Sequence, residues 1–298
     1  MVIKNILVIV GGNKAKLEPF LVAGKNLSVT VTIASFSELN FRSDTEDFIL
    51  NVGNIDVKTF DAIYIRMVGK RVEDATLLAN YAQKHKIAIY DTLYGNSLLL
   101  PSSLAKTIEL TKLISGKIPL PKTFFGSVNQ IELEAESILG FPYVIKSTTG
   151  KKSREVWSPE TKDKLSELLA RLRVKEKTGM RFFAQELITA SERIRVFVLG
   201  GKALAAIVRP TKWRKRFGEI EGRHGALSPI PDVDRDLAES ATAAAGLEIA
   251  GVDIIHDDKT GRAYILEVNA APSWKALAKD TGLFIEEEIL KFIVNTQK

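Results

Sequence analysis

The chain has 298 residues, of which 45% are apolar and 26% are charged, an ordinary balance for a globular protein with two or three lobes. It contains no cysteine, which excludes disulfide bonds, zinc–thiolate sites and thiol nucleophiles. No apolar run has the length of a membrane span, and the opening MVIKNILVIVGGN predicts a β-strand rather than a signal peptide. A cytoplasmic location is therefore expected.

Net charge is +6, from 42 basic and 36 acidic residues, and an excess this small does not by itself indicate nucleic-acid binding. Residues 209–224, RPTKWRKRFGEIEGRH, form a locally basic segment. They include six Lys or Arg and one His but only two acidic residues. This segment is either a solvated loop or a pocket for anionic groups such as phosphates and carboxylates.

Strands and helices alternate over residues 1–97, which predicts a parallel, doubly wound sheet. The predicted strands are residues 2–10, 29–34, 62–67 and 87–90, and the predicted helices begin at residue 17 and span residues 72–85. Gly11 and Gly12 follow the first strand but lack the Gly-x-Gly-x-x-Gly spacing that holds a pyrophosphate. Nicotinamide or flavin binding in this region is therefore disfavoured.

The rest of the chain predicts two α+β lobes. The expected helices are residues 103–115, 158–174, 234–245 and 284–294, and the expected strands are residues 143–146, 154–157, 181–188, 193–199, 202–208, 251–256 and 263–269. Two of these strands surround Gly200-Gly201, which predicts a tight hairpin. The whole pattern predicts three domains, over residues 1–97, 98–184 and 185–298.

The last predicted hairpin places polar side chains on one face of an apolar strand. Glu267 and Asn269 lie two residues apart in YILEVN, so they share a face. A three-residue turn between Asp258 and Arg262 pairs Glu267 with Asp253, unless a bulge shifts the register. Opposed carboxylates destabilise a sheet and a buried carboxylate is costly, so a bound cation would relieve both penalties.

Asp253, Glu267 and Asn269 offer only oxygen ligands, with no His or Cys among them. This ligand set favours Mg²⁺ or Mn²⁺, and Mg²⁺ takes its remaining ligands from water and substrate phosphates. The alternative interpretation is an exposed hairpin face that carries unrelated polar residues.

Other polar residues stand at the ends of apolar strands. Lys146 ends FPYVIK and by itself is typical of a snorkelling end residue. The loop STTGKKSR that follows can fold over phosphates through its backbone donors, although it does not match a P-loop. Gln185 and Glu186 interrupt the apolar sequence AQELI, and such a slot suits a purine.

Two further residues have alternative interpretations. Glu192 either accepts a hydrogen bond from a ribose hydroxyl or pairs with Arg193 or Arg209, and counting from the Gly-Gly turn places it opposite Arg209. Lys106 begins a predicted helix and by itself is typical of a surface lysine.

Together these stretches resemble the ATP-grasp superfamily, and most closely its RimK-type branch, which joins glutamate or related amino acids to a carboxylate. The resemblance lies in AQELI, in RIRVFVLGGKALAAIVR and in GVDII with YILEVNAAPSW, and it covers residues 100–298. It implies an ATP-grasp fold, in which a doubly wound pre-ATP-grasp domain (1–97) precedes a small lid lobe (98–184) and a large lobe with the metal site (185–298).

The resemblance also implies roles for individual residues. The residues implied to bind ATP are Lys106, Lys146, Gln185, Glu186, Leu187, Ile188 and Glu192, with Gln185 to Ile188 forming the adenine hinge and Glu192 holding the ribose. Arg209 would contact the transferring phosphate, and Asp253, Glu267 and Asn269 would hold two Mg²⁺ ions. We further predict that Arg214, Arg216 or Arg223 binds a substrate carboxylate.

The implied activity is ATP-dependent carboxylate–amine ligation through an acyl phosphate, with release of ADP and phosphate. The implied substrates are an amino acid and a small carboxylate or peptide, including an acidic protein tail, and the implied assembly is a homodimer or homotetramer. The phosphate-covering loop departs from the family pattern, because only Gly150 remains and Ser153 and Glu155 stand where glycines are usual.

Two alternative functions stay open on the sequence alone. One is a different ATP-grasp ligation, of the D-alanine–D-alanine type or the purine-pathway type. The other is a catalytically weak protein that binds nucleic acid or the ribosome through residues 209–224.

Overall fold

The computed structural model describes residues 3–43, 48–95, 106–148, 155–211 and 223–296. Within these ranges the strands form four sheets, and a small three-stranded sheet lies in the sequence between two strands of the N-terminal sheet. No helix among the described residues has both the length and the apolar character that crossing a bilayer requires.

The N-terminal sheet is parallel, with the order β2-β1-β6-β7. Its strands are β1 (Asn5–Val10), β2 (Thr30–Ser35), β6 (Ala62–Met67) and β7 (Ala88–Tyr90), connected through helices α1 (Glu18–Asn26) and α2 (Val72–Lys84). Ile6 and Val8 enter one core while Leu7 and Ile9 enter another, so β1 is buried on both faces. This burial explains its continuous apolar sequence, and the predicted doubly wound sheet is confirmed.

A small antiparallel sheet follows β2 and was not predicted. It consists of β3 (Leu39–Ser43), β4 (Phe48–Val52) and β5 (Ile55–Asp56). Leu50 and Val52 pack into the same core as α2, whereas β3 is largely exposed. The strands are only two to five residues long, so their sequence gives little periodic signal.

The middle sheet has the order β10-β9-β11-β8. Its strands are β8 (Thr123–Gly126), β9 (Tyr143–Ser147), β10 (Val156–Trp157) and β11 (Phe182–Glu186). Helices α4 (Val128–Leu139) and α5 (Lys162–Glu176) cover one face with their apolar side chains. Helix α4 was not predicted, although Ser127 and Gln130 form a capping box at its start. Thr161, rather than Ser158, caps α5.

The largest sheet has the order β14-β13-β12-β15-β16. Its strands are β12 (Glu192–Leu199), β13 (Lys202–Pro210), β14 (Gly225–Ala226), β15 (Ile249–His256) and β16 (Ala263–Asn269). Helices α3 (Lys106–Ser115) and α6 (Asp232–Ala245) pack on one face, where Leu113 and Ala241 join the core of the sheet.

Packing also crosses the predicted domain boundaries. Helix α7 (Lys275–Thr281) and helix α8 (Ile285–Asn295) end the chain, and Ile289 and Ile293 of α8 share a core with Phe20 of α1. In addition, α3 at the beginning of the second predicted domain packs on the sheet of the third, where Lys112 Nζ donates to the Ala245 carbonyl over 3.1 Å. The division at residues 97 and 184 stays a prediction.

Candidate active site

Strands β15 and β16 bring the predicted carboxylates together. Asp253 is paired with Glu267, and Gly251 is paired with Asn269, so the predicted register holds at these positions. A Cβ on Gly251 would lie 2.6 Å from the Pro272 Cβ, closer than two carbon atoms approach each other. The glycine therefore allows the turn after Asn269 to fold back over the sheet.

The register is correct because two local differences from the prediction cancel. The prediction placed Arg262 opposite Asp258. In the structure its partner is Asp257, whose N–H donates to the Arg262 carbonyl over 3.0 Å. The loop is consequently one residue longer than predicted. A bulge at Leu266 then restores the pairing of Glu267 with Asp253.

Asp253 is only 4% exposed, and its charge is compensated by an arginine. Arg195 on β12 donates from Nε to Oδ1 and from Nη2 to Oδ2, each over 2.7 Å. Arg193 lies on the same strand, with Nη1 3.7 Å from Oδ2. Asp253 and Arg195 are opposed in the ladder between β12 and β15, which explains this bidentate geometry.

Glu267 and Asn269 are held less tightly. The Lys106 ammonium lies 3.4 Å from Glu267 Oε1, and the Asn269 amide donates to the Gly251 carbonyl over 3.5 Å. Lys106 begins helix α3 and is partly buried, so the structure places it beside the carboxylates and not on an open surface.

These donors fit a hard divalent cation. Within the described ranges no three His, Cys, Asp or Glu residues gather in a metal-binding cluster, and the predicted set has two acids with an amide as its third member. Each carboxylate oxygen has two lone pairs, so Asp253 can accept from Arg195 and still offer oxygens to a cation. An all-oxygen set with few protein ligands is the chemistry that Mg²⁺ requires.

Lys146 and Gln185 form a second polar group between β9 and β11. Lys146 Nζ donates to Gln185 Oε1, and Gln185 Nε2 donates to Thr123 Oγ1 over 2.9 Å. Gln185 is 2% exposed, so its side chain orients Lys146 and is not displayed to solvent. Burial, followed by the nearby charge of Lys106, lowers the pKa of Lys146 to about 8.

The predicted adenine hinge leaves the end of β11. The Glu186 N–H donates to the Lys122 carbonyl over 2.9 Å, and Glu186 Oε2 accepts from the Lys122 N–H over 3.2 Å. Leu187 and Ile188 continue as irregular, partly exposed backbone. The segment is therefore fixed by hydrogen bonds at its start and irregular beyond it.

Glu192 and Arg209 do not face each other, so that predicted pairing is wrong. A bulge between Phe197 and Val198 shifts the ladder, and Glu192 stands opposite Pro210. Glu192 accepts instead from Arg223, through the backbone N–H over 2.8 Å and through Nε over 2.9 Å.

Arg209 is held by a carboxylate from helix α7. Its guanidinium donates to the Asp280 carboxylate on α7 and, over 2.8 Å, to the Val208 carbonyl. Of the predicted substrate residues, Arg223 pairs with Glu192, while Arg214 and Arg216 lie outside the described residues, as do residues 149–154 of the phosphate-covering loop.

Comparison with known proteins identifies the family of the chain. Residues 104–293 match the family described as the RimK-like ATP-grasp domain. The chain belongs to the RimK-like ATP-grasp family. It is therefore an ATP-dependent ligase that forms C–N bonds, which confirms the resemblance found in the sequence.

Similar proteins extend the match over most of the chain. A probable alpha-L-glutamate ligase of Alkalilimnicola ehrlichii is 31% identical over 222 residues, which is 68% of this chain and 72% of that protein. A tetrahydromethanopterin:alpha-L-glutamate ligase of Methanosarcina acetivorans is 25% identical over 294 residues, which is 87% of this chain and 88% of that protein.

A solved structure shares the whole fold. The ATP-grasp ligase PsnB, in complex with a phosphomimetic variant of its minimal precursor, Mg and ADP, superimposes with a TM-score of 0.74 over 100% of both chains at 18% identity. ATP and Mg²⁺ are the cofactors that membership of this ATP-grasp family supports.

Two residues that contact the candidate site were missed by sequence reasoning. Arg195 binds both oxygens of Asp253, and its only sequence signal is the alternation RIRVFVL, which puts Arg193 and Arg195 on one face. Glu109 on α3 accepts from the Val268 N–H over 2.7 Å, and burial raises its pKa to about 7. The sequence contained no signal for Glu109, because nothing in it placed α3 beside β16.

The lowered pKa of Lys146 predicts a pH dependence of nucleotide binding. A phosphate ligand favours the charged ammonium, so affinity for ATP is present below about pH 8 and is lost as the pH rises through the pKa of the free protein, about 8. We expect the Kd for ATP to increase about tenfold between pH 7 and pH 9. Isothermal titration at several pH values measures this change.

Lys146→Arg provides the matched control, because a guanidinium stays protonated over this range. Its Kd should hardly change with pH. Parallel curves for the two proteins would rule out Lys146 as the titrating group.

Proposed function

We propose that this ligase joins the amino group of glutamate, or of a related amino acid, to a carboxylate of a peptide or small acceptor. The names of the two relatives, both alpha-L-glutamate ligases, support the choice of glutamate. A PsnB structure solved with a precursor peptide supports a peptide as one class of acceptor.

The observation that carries this proposal is the opposition of Asp253 and Glu267 across β15 and β16. Two acids facing each other at one position of a sheet make sense where a cation is shared between them. The Lys106 ammonium lies 3.4 Å from Glu267 Oε1, and its charge contributes to the lowered pKa of Lys146. Positive charge beside a cation site suits a bound triphosphate.

Ligation in water requires activation of the acceptor carboxylate, which is a poor electrophile. The γ-phosphoryl group passes from ATP to a carboxylate oxygen, ADP leaves, and an acyl phosphate forms. The amine then attacks the acyl carbon, the C–N bond forms, phosphate leaves and the amine loses a proton. The task of the protein is positioning and charge neutralisation, with no nucleophilic side chain needed.

Asp253, Glu267 and Asn269 would hold Mg²⁺, which neutralises phosphate charge when bound, and we propose two ions. Lys106 and Lys146 would bind phosphate oxygens, and the Gln185–Ile188 hinge would hold adenine. Glu192 would hold the ribose.

Arg209 would stabilise the transferring phosphoryl group. In the structure its guanidinium donates to the Asp280 carboxylate, and Asp280 lies at the end of α7. Binding of phosphate by Arg209 therefore replaces or supplements this ion pair, and a guanidinium has enough donors to serve two anions.

We propose that Arg214, Arg216 and Arg223 bind a carboxylate of the substrates. We expect combined reversal of the three charges to Glu to raise the KM for the amino acid or the acceptor at least about tenfold, because charge-assisted hydrogen bonds to a carboxylate are lost. Arg214→Glu with Arg216→Glu should leave the KM for ATP nearly unchanged, whereas Arg223→Glu should raise it, because Arg223 donates to Glu192, the proposed ribose ligand. Arg171→Glu on α5 supplies a distant charge-reversal control, and an unchanged KM for every substrate would contradict this assignment.

An ADP-release screen over amino acids and acidic peptides, with mass spectrometry of the products, tests the proposed function. We expect ADP release that depends on both an amino acid, glutamate first, and a carboxylate acceptor, with a product heavier by one residue. Release with D-alanine alone, or with purine precursors, would favour the alternative ligations. Nucleic-acid affinity that falls steeply with salt, without ADP release, would favour the binding protein. Repeated addition appears as a ladder of masses in the same spectra.

A further inference from the structure

Strand β16 carries two proposed metal ligands, yet it has a neighbouring strand on one side only. In the described part of the chain it ends the order of the largest sheet and pairs with β15 alone. The bulge at Leu266 interrupts the ladder immediately before Glu267. The backbone positions of Glu267 and Asn269 therefore depend on contacts along the edge of β16 that faces away from β15.

Helix α3 and the segment after it provide this support. Glu109 Oε1 accepts the Val268 N–H over 2.7 Å, and the Pro119 carbonyl accepts the Ile265 N–H over 2.9 Å. These two N–H groups lie on either side of the bulge, and both point away from β15. The Glu109 contact is to the residue between the two ligands, so it fixes the peptide units that connect Glu267 to Asn269.

The same helix also contacts Glu267 directly. Lys106 lies one turn before Glu109 on α3, and its ammonium is 3.4 Å from Glu267 Oε1. The Lys106 N–H in turn donates to the Thr148 carbonyl over 3.4 Å, at the end of β9. Helix α3 thus connects β16, which carries the proposed metal ligands, to the lobe that carries Lys146.

We propose that Glu109 is a positioning residue for the metal site: through its hydrogen bond to Val268 it holds β16 in the geometry that Glu267 and Asn269 need to bind a divalent cation. This inference rests on the proposed function, because it assumes that these residues are ligands. In this role Glu109 accepts one backbone hydrogen bond, and the oxygen of a neutral side-chain amide can accept the same bond.

The test compares Glu109→Met, which removes the acceptor at similar length, with Glu109→Gln, which keeps an acceptor and removes the charge. Mn²⁺ affinity in the presence of ADP is measured by the free-Mn²⁺ signal in electron paramagnetic resonance. We expect Glu109→Met to weaken Mn²⁺ binding about tenfold or more, as loss of a group that orients a ligand does. Glu109→Gln should stay within about threefold of the wild type.

Amide hydrogen exchange gives a readout that does not depend on the metal. The Val268 amide should exchange faster in Glu109→Met than in Glu109→Gln or the wild type. Glu109→Ala serves as a second acceptor-free variant if the Met variant fails to fold, as judged by circular dichroism. Glu134→Ala, on the exposed face of α4, controls for loss of a surface carboxylate.

The outcomes separate this inference from the proposed function. Wild-type Mn²⁺ affinity in Glu109→Met would overturn the role of Glu109 and leave the metal site intact. Equal losses of Mn²⁺ affinity in the Gln and Met variants would show that the charge of Glu109, and not its hydrogen bond, is required. This result would also overturn the positioning role. Absence of Mn²⁺ binding by the wild-type chain would instead contradict the proposed function.

Discussion

Glu267→Ala should abolish Mg²⁺-dependent ADP release while leaving the fold intact. We expect kcat/KM to fall at least about a thousandfold, roughly 4 kcal/mol of transition-state stabilisation, because the variant lacks one of two carboxylates proposed to hold the metal. The fold should survive because the Glu267 side chain is 33% exposed and its ion pair with Lys106 is long, at 3.4 Å. Steady-state kinetics and thermal melting measure the two effects.

Glu134→Ala is the matched control for this variant. It removes an exposed carboxylate from α4, far from the proposed ligands in the sequence, and should keep both activity and melting temperature. Full activity in Glu267→Ala would contradict the assignment of Glu267 to the metal. A large fall in its melting temperature would make the kinetic loss a consequence of unfolding.

Arg195→Met should destabilise the protein strongly in the absence of ligands. Asp253 is 4% exposed, and Arg195 binds both of its oxygens, so the variant leaves a buried carboxylate without its closest cation. Breaking such a pair costs on the order of 3 kcal/mol. We expect the melting temperature to fall by roughly 5 °C.

A divalent cation should partly restore the lost stability, because a bound metal compensates the negative charge of Asp253. The increase in melting temperature on addition of Mn²⁺ and ADP should therefore be larger in Arg195→Met than in the wild type. Arg193→Met is the control. Arg193 lies 3.7 Å from Asp253, and its substitution leaves the closer ion pair between Arg195 and Asp253 in place. Wild-type stability in Arg195→Met, with no additional metal effect, would contradict the compensation described here.

The elements with long periodic patterns were predictable. Strand β6 and helix α2 agree with the prediction to within one residue, because burial on both faces or along one stripe leaves a clear apolar signal. The sheet β3-β4-β5 and helix α4 were missed. Their sequences are short or mixed, and their position depends on packing against neighbours that the sequence does not specify.

The candidate site divides in the same way. Asp253 and Glu267 were paired correctly because a hairpin is local and its register depends on few residues. Arg195 and Glu109 were missed because their contacts join residues far apart in the chain, 58 positions in one pair and 159 in the other. Glu192 and Arg209 were paired incorrectly because one bulge shifts every partner by one position.

Anomalous diffraction from crystals grown with Mn²⁺ and a non-hydrolysable ATP analogue tests the central claim most directly. We expect a manganese peak about 2.1 Å from a carboxylate oxygen of Glu267, with further ligand oxygens from Asn269, Asp253 or the phosphates. Manganese bound elsewhere, with the nucleotide present and Glu267 still paired to Lys106, would contradict the metal assignment and the ligase mechanism built on it.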